Sequence, residues 1–237
     1  KLKIAGLFEK NKMLALPAVA QRIAVITGQT AAGWQDFRQH LAKNEAGFKF
    51  HLTVFNTAVQ GKNAEAEIVA ALEKISSDAE KFDCIVLIRG GGSRLDLAAF
   101  DQFELCKMLA TAPLPVITGI GHDVDESVAD LVAFSAQKTP TAVADFLINH
   151  NLVFEEKIEV AVGQIAGLVS QKMQSEKMWL ESARRETHWK SREIMANSAN
   201  FIQKTENELP LAIARQFERQ HLFLKNAATV STALDPK

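Results

Sequence analysis

Arg89 ends an apolar run and is followed by three consecutive glycines, in the stretch DCIVLIRGGGSRLDL from Asp83 to Leu97. Backbone N–H groups of Gly90, Gly91, Gly92 and Ser93, set between a strand and a helix, form a concave seat for an anion. The arginine adds a charged fork that matches phosphate oxygens. A tight strand-to-helix turn explains one or two glycines but not three. The run is not a dinucleotide fingerprint, because Leu95 stands where the third glycine of GxGxxG would fall, and no GxxxxGK stretch exists for a P-loop. A second cluster, GIGHDVDESVAD from Gly119 to Asp130, sets one histidine among four acidic residues. His122 is suited to proton transfer near neutral pH, and Asp125, three residues on, is the carboxylate that would orient it. Asp123 lies adjacent to the histidine, and Asp130 reads as an exposed or capping helix residue. In a third stretch, TGQTAAGWQDF from Thr27 to Phe37, a strand ends in small and hydroxyl residues and Asp36 follows in a helix. An anion seat, a proton shuttle and carboxylates are the components of phosphoryl or phosphodiester chemistry.

These residues need a scaffold that gathers them. Short β-branched or alternating apolar runs predict strands at Arg22–Thr27, Phe48–Phe55, Phe82–Ile88 and Pro115–Ile120. Helical spacing separates them over Ala31–Lys43, over the stretch after Gly61 and over Asp96–Ala110. The alternation predicts an α/β fold with a mainly parallel, doubly wound sheet covered on both faces. Ligands of such sheets bind beyond the carboxyl ends of the strands, where all three clusters fall.

After residue 150 the character changes. Between Thr141 and Leu209 there is no proline, and only Gly163 and Gly167 interrupt the helical pattern. Phe154, Ile158, Ala161, Ile165 and Leu168 follow a coiled-coil-like spacing, which Lys172 breaks before Met173, Leu180 and Ala183 resume it. A single helix over Asn151–Leu209 would be ~90 Å long, so a bent or hairpinned pair is expected, with Asn197–Asn200 as a turn and a further helix over Leu211–Phe223. The expected domains are a catalytic α/β domain over 1–150 and a helical extension for subunit assembly over 151–237.

Bulk composition narrows the function classes. The 237 residues are 47% hydrophobic and 23% charged with a net charge of −1, so contact with a polyanion must come from local arrangement. Cys84 and Cys106 have no metal-finger spacing and read as reduced core residues of a cytoplasmic protein. The longest apolar runs are far short of the ~20 residues that span a bilayer, so no membrane partner is expected. The chain opens at Lys1 without an initiator methionine, which suggests that upstream sequence is missing.

Four stretches in consistent order resemble one family, the large subunit of exodeoxyribonuclease VII: LPAVAQRIAVITGQTAAGWQD (Leu16–Asp36), RGGGSRLDL (Arg89–Leu97), PLPVITGIGHDVDESVADLVA (Pro113–Ala133) and TPTAVADF (Thr139–Phe146). The resemblance covers roughly Gly6 to Asn149. It implies a nuclease that degrades single-stranded DNA from its ends into oligonucleotides. It also implies several copies of a small subunit on the helical region, and an N-terminal OB-fold just after which this chain is expected to begin. Matched by motif, Asp36, Arg89, His122 and Asp125 look like the catalytic set, with Gly90, Gly91, Gly92 and Ser93 as the phosphate seat. No cofactor is strictly required on this resemblance, although nearby aspartates could hold Mg²⁺ through oxygen ligands. The sequence departs from the family at Leu95 and Asp123, where acidic residues and glutamate are usual, and at Gly28 and Ala31 in the first loop. Two other readings remain open: a non-catalytic phosphate-gripping scaffold with a partner-recruiting tail, and a nucleotide-binding small-molecule kinase.

Overall fold

The computed structural model describes residues 2–61, 63–90, 94–120 and 127–233. The chain divides into two compact units, Lys1–Val162 and Gly163–Lys237. In the first, five parallel strands, β1 (Arg22–Thr27), β2 (His51–Asn56), β3 (Cys84–Ile88), β4 (Val116–Gly119) and β5 (Ser135–Ala136), line up in the order β2-β1-β3-β4-β5. Helices α1 (Ala32–Ala42), α2 (Ala64–Ser77), α3 (Phe103–Thr111) and α4 (Val128–Val132) connect them, and α5 spans Pro140–Ala233.

The central strands β1 and β3 are largely continuous apolar runs because both of their faces are covered. Every residue of β3 is buried, and so are five of the six in β1. Alternate side chains then serve opposite layers. Ile23 and Val25 of β1 join Val86 and Ile88 of β3 beneath Trp34, Phe37 and Leu41 of α1 and Val143, Ala144 and Leu147 of α5. Ala24, Ile26, Ile85 and Leu87 face the other way, against Ile68, Leu72 and Ile75 of α2 and Leu105 and Leu109 of α3. The first connection leads from β1 out to the edge strand β2, and the next returns across β1 to β3. The reversal point therefore lies between β1 and β3, the place where an open parallel sheet leaves a crevice.

Two polar clamps fix the start of the sheet. Asn151 of α5 holds the backbone of Ala20 from both sides, accepting its N–H at 2.9 Å and donating to its carbonyl at 3.1 Å. Asp83 does more. It accepts the backbone N–H groups of Gln21 and Arg22 at 2.9 and 2.8 Å, and the Arg22 guanidinium at 3.1 and 2.7 Å. Burial pushes the Asp83 carboxyl up, but the hydrogen bonds from Arg22 and Gln21 and the Arg22 charge outweigh it, leaving its pKa below the ordinary carboxylate value. A depressed pKa contributes stability above the unfolded value, and that contribution is lost as pH falls through the folded one. Asp83→Asn is therefore expected to cost about 1–3 kcal/mol at neutral pH, with the melting curves of variant and wild type converging in acid. A constant gap down to the acid limit would contradict this account.

Cys84 and Cys106 are buried free thiols. Burial raises both, Cys106 to about 12, so neither is poised as a thiolate.

The helical region corrects one expectation. No hairpin forms at Asn197–Asn200 and no separate helix begins at Leu211, because Pro140–Ala233 is one helical element with Pro210 inside it. Asparagine and serine cost a helix only a few tenths of a kcal/mol each, too little to break one without a glycine beside them. Among the described residues, no helix is long and apolar enough to cross a membrane.

Candidate active site

The carboxyl ends of β1, β2, β3 and β4 bring Gly28, Thr57, Arg89 and Ile120 to one edge of the sheet. Arg89 comes directly after β3 and is only 3% exposed. Its backbone N–H donates to Gly119 O at 3.3 Å, so the end of β3 is tied to the end of β4. The arginine thus extends the sheet at the strand next to the reversal point, and its charge sits in a protein environment instead of in bulk water.

Small residues allow the β1 connection to close on this strand end. A Cβ added to Gly33, in the first turn of α1, would lie 2.9 Å from Arg89 O and 2.8 Å from Pro140 Cγ. One added to Gly90 would meet Ala31 Cβ at 3.3 Å and Gly33 N at 3.5 Å. The start of α1 is therefore in contact with the Arg89–Gly90 backbone. The glycines serve close approach here, since neither has a positive φ.

Between the ends of β1 and β2 lies a cleft of about 600 Å³, lined by Gly28–Ala32, Asn56–Gln60, Glu67 and Gly90. Its walls are braced: Asn56 Oδ1 accepts the Gln29 N–H at 2.8 Å and Glu67 Oε2 accepts the Ala58 N–H at 2.6 Å. The hydroxyls of Thr27 and Thr57 are buried and have no hydrogen-bond partner among the described residues. A buried hydroxyl without a partner costs free energy, so this edge retains polar capacity that the fold does not use.

Asp36 lies elsewhere. It is exposed on α1 and lines a groove of about 580 Å³ with His40, Lys43, Thr141 and Asp145, on the α1–α5 side of the sheet. His40 Nε2 and Asp145 Oδ1 meet there at 2.6 Å. Sequence reading did not single out this pair. The signal was the i,i+4 spacing of Asp36 and His40 on one helix, with Asp145 inside the TPTAVADF stretch. Among the described residues, no group of three or more His, Cys, Asp or Glu side chains is arranged to hold a metal ion.

His122, Asp123 and Asp125 lie outside the described residues, as do Gly91, Gly92 and Ser93. The flanks of 121–126 are fixed on both sides. Ser127 and Asp130 form a reciprocal capping box at the start of α4. Asp130 also accepts from Thr118 Oγ1 of β4 at 2.6 Å and from Ser127 Oγ at 2.7 Å. Asp130 is thus a capping residue as expected, but it is buried and not exposed. Asp130→Ala is expected to cost about 2 kcal/mol, read as a fall in Tm, whereas an unchanged Tm would show that the box does not hold α4.

Sequence comparison identifies the family. Residues 7–236 match the family model described as Exonuclease VII, large subunit. The chain belongs to the exonuclease VII large subunit family. An Exodeoxyribonuclease 7 large subunit of Acaryochloris marina is 39% identical over 145 residues, covering 61% of this chain and 34% of the relative. One of Rhodopirellula baltica is 28% identical over 243 residues, covering 100% of this chain and 53% of the relative. One of Haemophilus influenzae is 36% identical over 151 residues, covering 64% and 34%. The chain thus spans between about a third and a half of the length of these curated relatives. In this exonuclease VII family member, Arg89 and Gly90 are the described part of the glycine motif, and Thr118 and Gly119 lead into the histidine motif.

Proposed function

We propose that this chain hydrolyses phosphodiester bonds of single-stranded DNA from the strand ends, releasing oligonucleotides, as the large subunit of a cytoplasmic hetero-oligomer with several small subunits on its helical region. The observation that carries this reading is the buried Arg89 at the sheet reversal point, next to glycine backbone, in a family whose relatives are named for exodeoxyribonuclease activity. Arg89 and the N–H groups of Gly90 to Ser93 hold the scissile phosphate and stabilise charge as it grows in the transition state. His122 passes a proton to the leaving oxygen or takes one from water, and Asp125 orients its ring. Asp36, from the α1 groove, positions water or one arm of the substrate. Mg²⁺ is a possible helper and not a requirement of this scheme.

The test is a gel assay of end-labelled single- and double-stranded DNA, using the chain with its small subunit, in EDTA and in Mg²⁺, beside His122→Ala. Cleavage of single strands alone, lost in the variant, supports the proposal, and the EDTA lane reads the metal requirement. Equal cleavage by the variant overturns the role of His122. No cleavage by either protein, with oligonucleotide binding retained, favours a scaffold.

A further inference from the structure

Within Gly163–Lys237, charge and aromatic surface gather on one helical face. Arg184, Arg185, His188, Trp189 and Arg192 line a common shallow groove with Glu181. The stretch 184–192 carries four Lys+Arg against a single Glu, in a chain whose net charge is −1. All of these side chains are exposed, Trp189 at 63%. Three lysines of the same helix, Lys172, Lys190 and Lys204, each pair with a glutamate one turn away. Among the described residues, none of the three arginines forms an ion pair with a carboxylate, and with Glu181 as the one acidic residue of the groove the face keeps a net positive charge.

Helix geometry separates this face from the apolar stripe. At about 100° per residue, the three arginines and His188 fall within an arc of about 100°, with Trp189 at its edge. Ile165, Val169, Met173, Leu180 and Ile194 centre about 110° away on the same wheel. A helix packed on the apolar stripe would leave the basic face open.

We propose that this face is a secondary binding track for single-stranded DNA. Arginines contact successive phosphates, and the indole of Trp189 supplies a platform on which an unpaired base stacks. From Arg184 to Arg192 the helix rises about 12 Å, room for about three phosphates at the spacing of a DNA strand. A duplex would meet the arginines equally well but has no free base face for Trp189. An acidic peptide would satisfy the charge and leave the tryptophan unused. The inference rests on single-stranded DNA being the substrate, and it adds a contact surface separate from the catalytic residues.

The test is fluorescence anisotropy of a 5′-labelled oligo(dT) titrated with the whole chain over a salt series. The variants are Arg184→Ala/Arg185→Ala/Arg192→Ala, Trp189→Ala, Trp189→Phe and Arg89→Ala, with Lys172→Ala as a paired-charge control and circular dichroism to check helix content. The triple variant should bind at least about tenfold more weakly and lower the slope of log affinity against log salt by about two. Trp189→Ala should lose about tenfold, with Trp189→Phe restoring most of it. Wild-type binding in both the triple variant and Trp189→Ala overturns the track. If Arg89→Ala alone weakens binding, the track fails and the catalytic reading stands. If the wild-type chain does not bind oligo(dT), both fail. Displacement of oligo(dT) by poly-glutamate at equal charge overturns the track in favour of an acidic protein partner.

Discussion

Arg89→Ala is expected to slow single-strand cleavage by about 10²–10³-fold, the usual cost of removing one preorganised donor from a developing oxyanion. Arg89 is only 3% exposed, which is what gives the change its size. Water around an exposed guanidinium screens its field and reorganises as charge moves. A buried one acts through a lower effective dielectric and is already aimed. The backbone bond from Arg89 to Gly119 O fixes the strand end, so the guanidinium is positioned from a rigid element and not from a loop. Arg89→Lys keeps the charge but loses the two-pronged geometry, and should recover only part of the rate. Because truncating a buried side chain also costs stability, the rate is read at a temperature well below the variant's Tm and beside its oligonucleotide affinity. A folded, DNA-binding Arg89→Ala with wild-type turnover would remove Arg89 from the catalytic set.

The scaffold behind this prediction was legible in the sequence where burial is two-sided. IAVI within β1 and CIVLI in β3 are apolar throughout because these strands are covered on both faces, and the strand bounds follow the apolar runs closely. The second strand was expected from Phe48 but begins at His51, since an edge strand with a half-exposed pattern marks its start weakly. The helix expected over Asp96–Ala110 starts as a 3-10 segment, with regular α-helix only from Phe103. α4 and β5, of 5 and 2 residues, are too short to show any periodicity. The hairpin expected after residue 150 failed for the opposite reason. The sequence offers no strong breaker between Gly167 and Pro210, so length alone does not fold the helix back.

At the candidate site the limit was of another kind. Glycines, an arginine and the strand ends can be found by type and spacing, because a parallel sheet places its carboxyl ends together. Direction around a helix is harder to assign. Asp36 was grouped with the strand ends because it follows β1 closely. Four residues into α1, however, its position on the helix turns it toward His40 and Asp145. That shared groove depends on where α5 begins, and Pro140 belongs to a segment more than a hundred residues away. Asp130 shows the same effect: Thr118 of β4, which buries it, is not a sequence neighbour.

Gly33→Ala is expected to be strongly damaging in the sheet domain, although alanine is the better helix former. The substitution sits inside α1, where alanine gains about 1 kcal/mol over glycine. Against that, the new Cβ would stand 2.8 Å from Pro140 Cγ, 2.9 Å from Arg89 O and 3.1 Å from Gly90 Cα. Two of these atoms are backbone and the third belongs to a ring, so none can swing aside. Overpacking of this kind costs about 1–3 kcal/mol and at times more, which exceeds the propensity gain. Any relief moves α1 away from the strand end or shifts the Arg89–Gly90 backbone. The variant should therefore lose Tm and cleavage together. Gly163→Ala is the internal control: its Cβ meets nothing within 4 Å, so the helix-propensity gain should appear unopposed as a small rise in stability. If Gly33→Ala stabilised the protein as Gly163→Ala does, the close approach of α1 to Arg89 and Gly90 would not be what sets the geometry of this edge.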